Sequence, residues 1–239
     1  DAGSNFSNDD KHISFIDKSV DGGARILHQI DTTAYYTWIT WGQNGTISKE
    51  KEHTFNISPD RKKDKFSLSV NFTSDSDSIG LDKLATTAEV KFRSTTDWKK
   101  FWLSGGAVDF SAVKDKRAVE MERRAVLSQY LTKVQCSSAY PPQETGLTYN
   151  SWYGKPHLEM HWWHAVHFAQ WGRPELMEKS LDWYFTVADK AKTLARRQGF
   201  EGLRWQKMTD HDGNESPSSV GAFLIWQQPH LIYMAEMLY

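Results

Sequence analysis

From Phe66 to Phe72 apolar and polar residues alternate strictly, with Phe66, Leu68, Val70 and Phe72 set against Ser67, Ser69 and Asn71. A side-chain period of two sends the two sets to opposite faces, so the segment predicts a strand with one buried face. Aromatic and β-branched residues predict another strand over 35–41, and Gln43-Asn44-Gly45-Thr46 after it holds the Asn-Gly pair of a type I′ hairpin turn. Shorter runs predict strands at 13–16, 25–30, 53–57 and 89–93, with a charged turn at 60–64 and a polar loop at 74–78. Several short strands separated by turn signals argue for an antiparallel sandwich.

Near Thr96 the period changes. Asp97-Trp98-Lys99-Lys100-Phe101-Trp102 fits one or two helical turns before Gly105-Gly106 breaks them, and residues 108–110 read as briefly extended. A long helix is predicted from Asp115 onward, with Val119, Arg123, Val126, Leu127, Tyr130 and Leu131 forming a stripe at spacings of three and four, and Pro141-Pro142 ends it. Further helices are predicted at 158–171, 174–184, 187–198 and 229–239, with Pro174 at a tolerated first-turn position. Leu231, Ile232, Met234, Ala235, Met237 and Leu238 are still in mid-pattern at Tyr239, with no capping glycine or polar tail. An apolar helix without a cap needs more to pack against, so the chain is expected to be part of a longer protein.

Composition narrows the function. The 239 residues are 39% hydrophobic and 25% charged, which suits a globular protein with a sizeable core. A net charge of −1 gives no basic field for a nucleic acid or an anionic membrane. No apolar run approaches the ~20 residues of a membrane span. Residues 1–10 are polar, without a signal-peptide pattern, and the single Cys136 excludes an internal disulfide. The 11 tryptophans, densest in the second half, bring flat apolar faces that suit either a core or the C–H face of a sugar ring.

Candidate chemistry gathers in three segments: 150–164, 202–217 and 225–230. His157, His161, His164 and His167 follow at helical spacing and, with Glu159, are chemically competent zinc ligands. The order His-Leu-Glu-Met-His is not the His-Glu-x-x-His of metalloproteases, however. Those histidines serve equally as satisfied core groups or as direct hydrogen-bonding partners of a ligand. Glu159 can accept hydrogen bonds from sugar hydroxyls or complement a helix N-terminus. Glu215 stands in a polar loop with Asp210, Asp212 and Asn214. Arg204, Trp205, Gln206 and Lys207 combine a stacking plane with donors, and Gln227 and Gln228 add amides at a helix start. There is no Gly-x-Ser-x-Gly elbow, phosphate-cradling loop or dinucleotide fingerprint, and Cys136 has no activating neighbour in sequence.

The order of these segments resembles glycoside hydrolase family 65 and its relatives over roughly residues 96–239. The resemblance is carried by Asp97-Trp98-Lys99-Lys100-Phe101-Trp102 and Val108-Asp109-Phe110, then Glu122-Arg123-Arg124 and Tyr130-Leu131. It continues through His157-Leu158-Glu159-Met160-His161-Trp162-Trp163, Trp183-Tyr184, residues 199–207, and His230-Leu231-Ile232-Tyr233-Met234-Ala235-Glu236. Glu159 and His161 stand where that family carries Asp and Glu, and Gln206-Lys207 where it carries an acidic loop end, which marks a divergent relative.

The resemblance implies a β-sandwich over 1–112 followed by an all-α domain over 113–239, a partial (α/α)6 toroid of the six-hairpin class, incomplete at its C-terminus. It also implies a glycosidase of small glycosides or oligosaccharides, working by metal-free acid/base catalysis without a cofactor, periplasmic or extracellular. Trp152, His157, Glu159, His161, Trp162, Arg204, Trp205, Lys207, Gln227, Gln228 and His230 are then the expected substrate-binding residues. Glu159 and Glu215 are the candidate carboxylates, although the family's general acid follows a later helix. The expected partners are the carbohydrate and either the remaining C-terminal part of the protein or a second copy. Two alternatives remain open: a non-catalytic carbohydrate-binding protein, and a metal-dependent hydrolase built on His157, His161, His164 and His167.

Overall fold

The computed structural model describes residues 11–41, 45–59, 65–74, 80, 83–147, 149, 152–216, 218–221 and 223–239. They fall into two compact units, Asp1–Lys99 and Lys100–Tyr239.

In the first unit, β1 (His12–Val20), β2 (Gly23–Ile30) and β3 (Thr33–Thr40) run antiparallel through two-residue turns. Such turns need positive φ, which Gly22 (φ 75°) supplies in the first and Asp31 (φ 54°) in the second. β4 (Gly45–Lys51) and β5 (Thr54–Pro59) form a separate hairpin, and β6 (Ser69–Thr73) pairs with β3, giving the order β1-β2-β3-β6. Ala24, Ile26, Ile39 and Trp41 make the buried centre, with Ile16, Ile47, Phe55 and Ile57 packed on it. Along one edge of this centre Ser14 bridges His28 (2.9 Å) and His53 (2.8 Å), and Thr37 holds the other nitrogen of His28 (3.0 Å). Elsewhere in the sheet Arg25 is paired with Asp17 (2.6 Å) and lies over the rings of Tyr36 and Trp38.

In chain order the helices are α1 (Thr87–Ser104), α2 (Arg117–Cys136), α3 (Leu158–Gln170), α4 (Pro174–Thr186), α5 (Ala188–Arg197) and α6 (His230–Leu238). Met177, Leu181 and Tyr184 of α4 pack with Leu158, Ala165 and Phe168 of α3 and Met234 of α6 in one core. Arg173 ties the surrounding chain together, donating to the carbonyls of Phe101 (3.0 Å) and Gly106 (3.1 Å) and to Gln129 Oε1 (3.1 Å).

Several expectations need correction. Residues 89–93 are helix, not strand. Thr86 and Glu89 form a reciprocal cap, Thr86 N–H donating to Glu89 Oε2 (2.7 Å) and Glu89 N–H to Thr86 Oγ1 (3.2 Å), and this start outweighs the β-preference of Val90 and Phe92. The alternating apolar set Phe66, Leu68, Val70 and Phe72 is exposed, and pairing is limited to β6. The hairpin strand β4 was not expected. Residues 43–44, the whole of the turn at 60–64, residues 75–78 of the polar loop, and residues 150, 151 and 217 lie outside the described residues.

The largest correction concerns fold class: nothing among the described residues supports the expected partial (α/α)6 toroid, and in place of a full β-sandwich the strands form a four-stranded sheet and a hairpin. Among the described residues one four-stranded antiparallel sheet is joined by a two-stranded hairpin, and six helices follow. α3, α4 and α6 converge on a single core, whereas α2 leaves Val119, Met121, Leu127, Tyr130 and Leu131 exposed. Periodicity identifies an apolar face but not what covers it, so the pairing of helices was not encoded in the stripes.

Candidate functional site

The start of α3 is held by backbone pairing between segments distant in sequence. His157 N–H donates to Pro142 O (3.0 Å), Thr209 N–H to Pro156 O (3.1 Å), Glu159 N–H to Lys207 O (3.2 Å) and Ser216 N–H to Met208 O (3.2 Å). Isolated antiparallel bridges at Gln143–Pro156, His157–Met208 and Thr209–Glu215 complete this short ladder. It places Glu144, His157, Glu159 and Lys207 beside one another.

His157 is 1% exposed, and both of its ring nitrogens are shut from solvent without a hydrogen-bond partner among the described residues. Its Nε2 lies 4.0 Å from Glu144 Oε2 and 3.9 Å from Glu159 Oε2, each too long for a hydrogen bond. Burial first, then the positive fields of Lys207 and His164, pull its pKa down to about 4, so the ring is neutral near pH 7. Glu144 Oε2 is likewise buried and unpartnered among the described residues. Glu159 is paired with the Lys207 ammonium at 3.4 Å, and that ammonium sits 4.2 Å from the centre of the Trp152 ring. Trp152 is 46% exposed and holds a left-handed backbone (φ 50°) in a single 3-10 turn, Trp152–Gly154. A bulky residue rarely adopts that conformation, and backbone strain of this kind collects at ligand sites.

His161, one turn further along α3, belongs to the core. Its Nε2 is 2.8 Å from Ser180 Oγ, whose own proton goes to Met177 O (2.9 Å). Nε2 is therefore the donor, and Nδ1 accepts from the Tyr184 hydroxyl at 3.0 Å. Burial, with His164 and His230 nearby, lowers the His161 pKa to about 3, and burial raises that of Tyr184.

The other expected site residues divide in the same way. Trp205 is buried with its edge against Tyr184 (4.8 Å). Gln227 donates to Trp205 O and Leu224 O (both 2.9 Å), and Gln228 grips the Trp205 backbone from both sides. Arg204 reaches Gln198 Oε1 (3.1 Å) and Leu224 O (2.7 Å). These four hold a loop in place. His230 lies 3.3 Å from Leu158 O; burial lowers its pKa, against opposing effects from Leu158 and Glu159, which places it beside the α3 entry. Trp162 meets Trp163 and Tyr233 in an aromatic group next to His230. Glu215 is paired with Arg197 at a different cleft, of about 230 Å³. His167 is exposed on the rim of a further cavity. Among the described residues no three His, Cys, Asp or Glu side chains converge to hold a metal ion, so the histidines spaced along α3 do not form one set.

Glu144 is the residue that sequence reasoning missed. It follows Pro141-Pro142, which reads as helix-ending punctuation, and only the pairing of residues 142–143 with 156–157 gives it a role. Cys136 is buried, and burial pushes its thiol pKa up to about 11, which leaves it unreactive. No helix among the described residues is long and apolar enough to cross a membrane. No protein-family model matches the chain, and no curated protein matches it.

Proposed function

We propose that the cluster at the α3 entry binds a small glycoside or oligosaccharide and hydrolyses its glycosidic bond by metal-free acid/base catalysis. The observation that carries this reading is the pair of carboxylates, Glu144 and Glu159, within 4.0 Å of one neutral imidazole and beside a half-exposed tryptophan. A sugar ring offers a C–H face to Trp152 and hydroxyls to carboxylates and imidazole. The orphaned nitrogens of His157 and the orphaned oxygen of Glu144 are closed to solvent, so a ligand reaches them only once a neighbour such as the half-exposed Trp152 is displaced. Its hydroxyls would then supply the hydrogen bonds that buried polar atoms normally have. Glycoside hydrolysis needs one carboxyl to protonate the leaving oxygen and another to activate water or attack the sugar. Glu159, already paired with Lys207, is assigned the second role, and Glu144, beside the neutral ring, the first. The resemblance of residues 96–239 to glycoside hydrolase family 65 in segment order points to the same chemistry and to a secreted setting.

The test is steady-state hydrolysis of a panel of aryl glycosides and neutral oligosaccharides, alongside calorimetric binding. Glu144→Gln and Glu159→Gln should each lower kcat by about 100-fold or more, with affinity largely retained in Glu144→Gln. A wild-type protein that binds sugars but hydrolyses none would be a carbohydrate-binding protein instead. Lack of binding to any saccharide would end the reading.

A further inference from the structure

A second polar group is buried without its full set of partners, well away in sequence from the α3 entry. A cavity of about 360 Å³ opens between α2 and the end of α3, with Ser128 and His167 at its exposed rim and Phe101, Phe168, Gln129 and Arg173 buried within. That volume falls within the range of small-molecule sites, about 300–1,000 Å³. Arg173 is 1% exposed, and among the described residues it forms no ion pair with a carboxylate.

A guanidinium has five donor hydrogens. Those of Arg173 meet the carbonyls of Phe101, Trp171 and Gly106 and the amide oxygen of Gln129, which leaves one on Nη2 without an acceptor among the described residues. Gln129, 8% exposed, uses its oxygen on Arg173, and its Nε2 is buried with no partner among the described residues. Arg173 and Gln129 close one end of the cavity, bringing a full positive charge and N–H groups unused among the described residues behind its surface. The side walls are the rings of Phe101, Phe168 and Trp171. A second cation, the Lys133 ammonium, lies 4.8 Å from the Phe101 ring and adds to the positive field.

We propose that this cavity is a binding site for a small organic carboxylate with an aromatic or aliphatic body, independent of the saccharide site. The carboxylate takes the Gln129–Arg173 end, where Gln129 Nε2 and Arg173 Nη2, closed to solvent in the free protein, turn toward the cavity to donate to it, and the hydrocarbon body lies against the ring walls. A buried charge is compensated when it is paired and hydrogen-bonded, and a carboxylate provides both. Inorganic anions fit less well, because most of the wall offers them nothing.

The experiment is calorimetric and ligand-observed NMR titration of the full chain with 3-phenylpropanoate and its neutral amide. Saturable binding of the acid, about tenfold or more tighter than the amide, is expected from one charge-assisted contact. Gln129→Glu supplies an internal carboxylate to Arg173 and should abolish binding. Ser128→Trp obstructs the exposed rim without touching the charged end, and it decides the matter if Gln129→Glu fails to fold. No saturable binding, equal binding of acid and amide, or wild-type binding in a folded Gln129→Glu or Ser128→Trp variant would overturn the proposal.

Discussion

His161 and His157 stand one helical turn apart, both closed to solvent and both neutral, yet their surroundings are opposite. His161 has each nitrogen matched, one to Ser180 and one to Tyr184, where α3 meets α4. His157 has neither matched, and two carboxylates and an ammonium surround it where α3 meets the 142–144 and 207–209 segments. Burial costs both rings their charge. Only His161 recovers the loss in hydrogen bonds. The contrast separates a polar group that the fold satisfies from one that it leaves unsatisfied among the described residues.

The largest effect expected from this pair is acid sensitivity. The unfolded chain takes up protons near the ordinary histidine value of 6.5, whereas the folded pKa values are about 4 for His157 and about 3 for His161. The stability the two neutral rings contribute is therefore complete above pH 6.5, declines as pH falls below it, and is lost once pH has passed the folded values. Each ring adds a slope of about 1.4 kcal/mol per pH unit inside that window. Urea unfolding at pH 7, 6 and 5 reads the combined slope, and replacing either histidine should remove one proton's share. A flat profile would mean that the two rings are not held neutral.

Substitution sharpens the comparison further. His161→Leu strands the Tyr184 hydroxyl in the core and should cost about 3 kcal/mol. His157→Leu strands no hydrogen-bonded group and should stay within about 1 kcal/mol of wild type, while saccharide binding disappears. Equal losses in urea unfolding would erase the distinction between the two sites. Tyr184→Phe, which leaves His161 Nδ1 without its donor, should cost about 1–2 kcal/mol in the same measurement. Trp152→Ala comes last: a half-exposed ring on a strained backbone should change stability by no more than about 0.5 kcal/mol, yet weaken saccharide binding about tenfold or more.

The elements were legible where the pattern is local. β3 follows from its aromatic and β-branched residues, β6 overlaps the alternating run 66–72, β1, β2 and β5 overlap the shorter predicted runs, and α3 to α6 overlap the predicted helices, with Pro174 at the start of α4. Residues 89–93 misled because Val90 and Phe92 favour strands, while the deciding signal, Thr86 and Glu89, spans three positions on the other side. The packing of the helices was not legible, since an apolar stripe such as that of α2 looks the same whether it is covered or exposed. In the site, His157, Glu159, Lys207 and Trp152 were all named from their segments. Arg204, Trp205, Gln227 and Gln228 shared the same composition but brace a loop, because hydroxyl recognition and backbone bracing draw on the same donors and acceptors. Glu144 joins the site through long-range backbone pairing, which leaves no mark in its immediate sequence.

The most direct measurement is 15N–1H NMR of the histidine rings while a neutral oligosaccharide panel is titrated into the full chain at pH 7. Saturable shifts at the His157 nitrogens, with the His161 nitrogens unmoved in their Nε2–H tautomer, are the predicted result. Saccharide binding that leaves His157 unmoved, or His157 already showing a hydrogen-bonded pair of nitrogens in the free protein, would contradict the assignment of this cluster as the site.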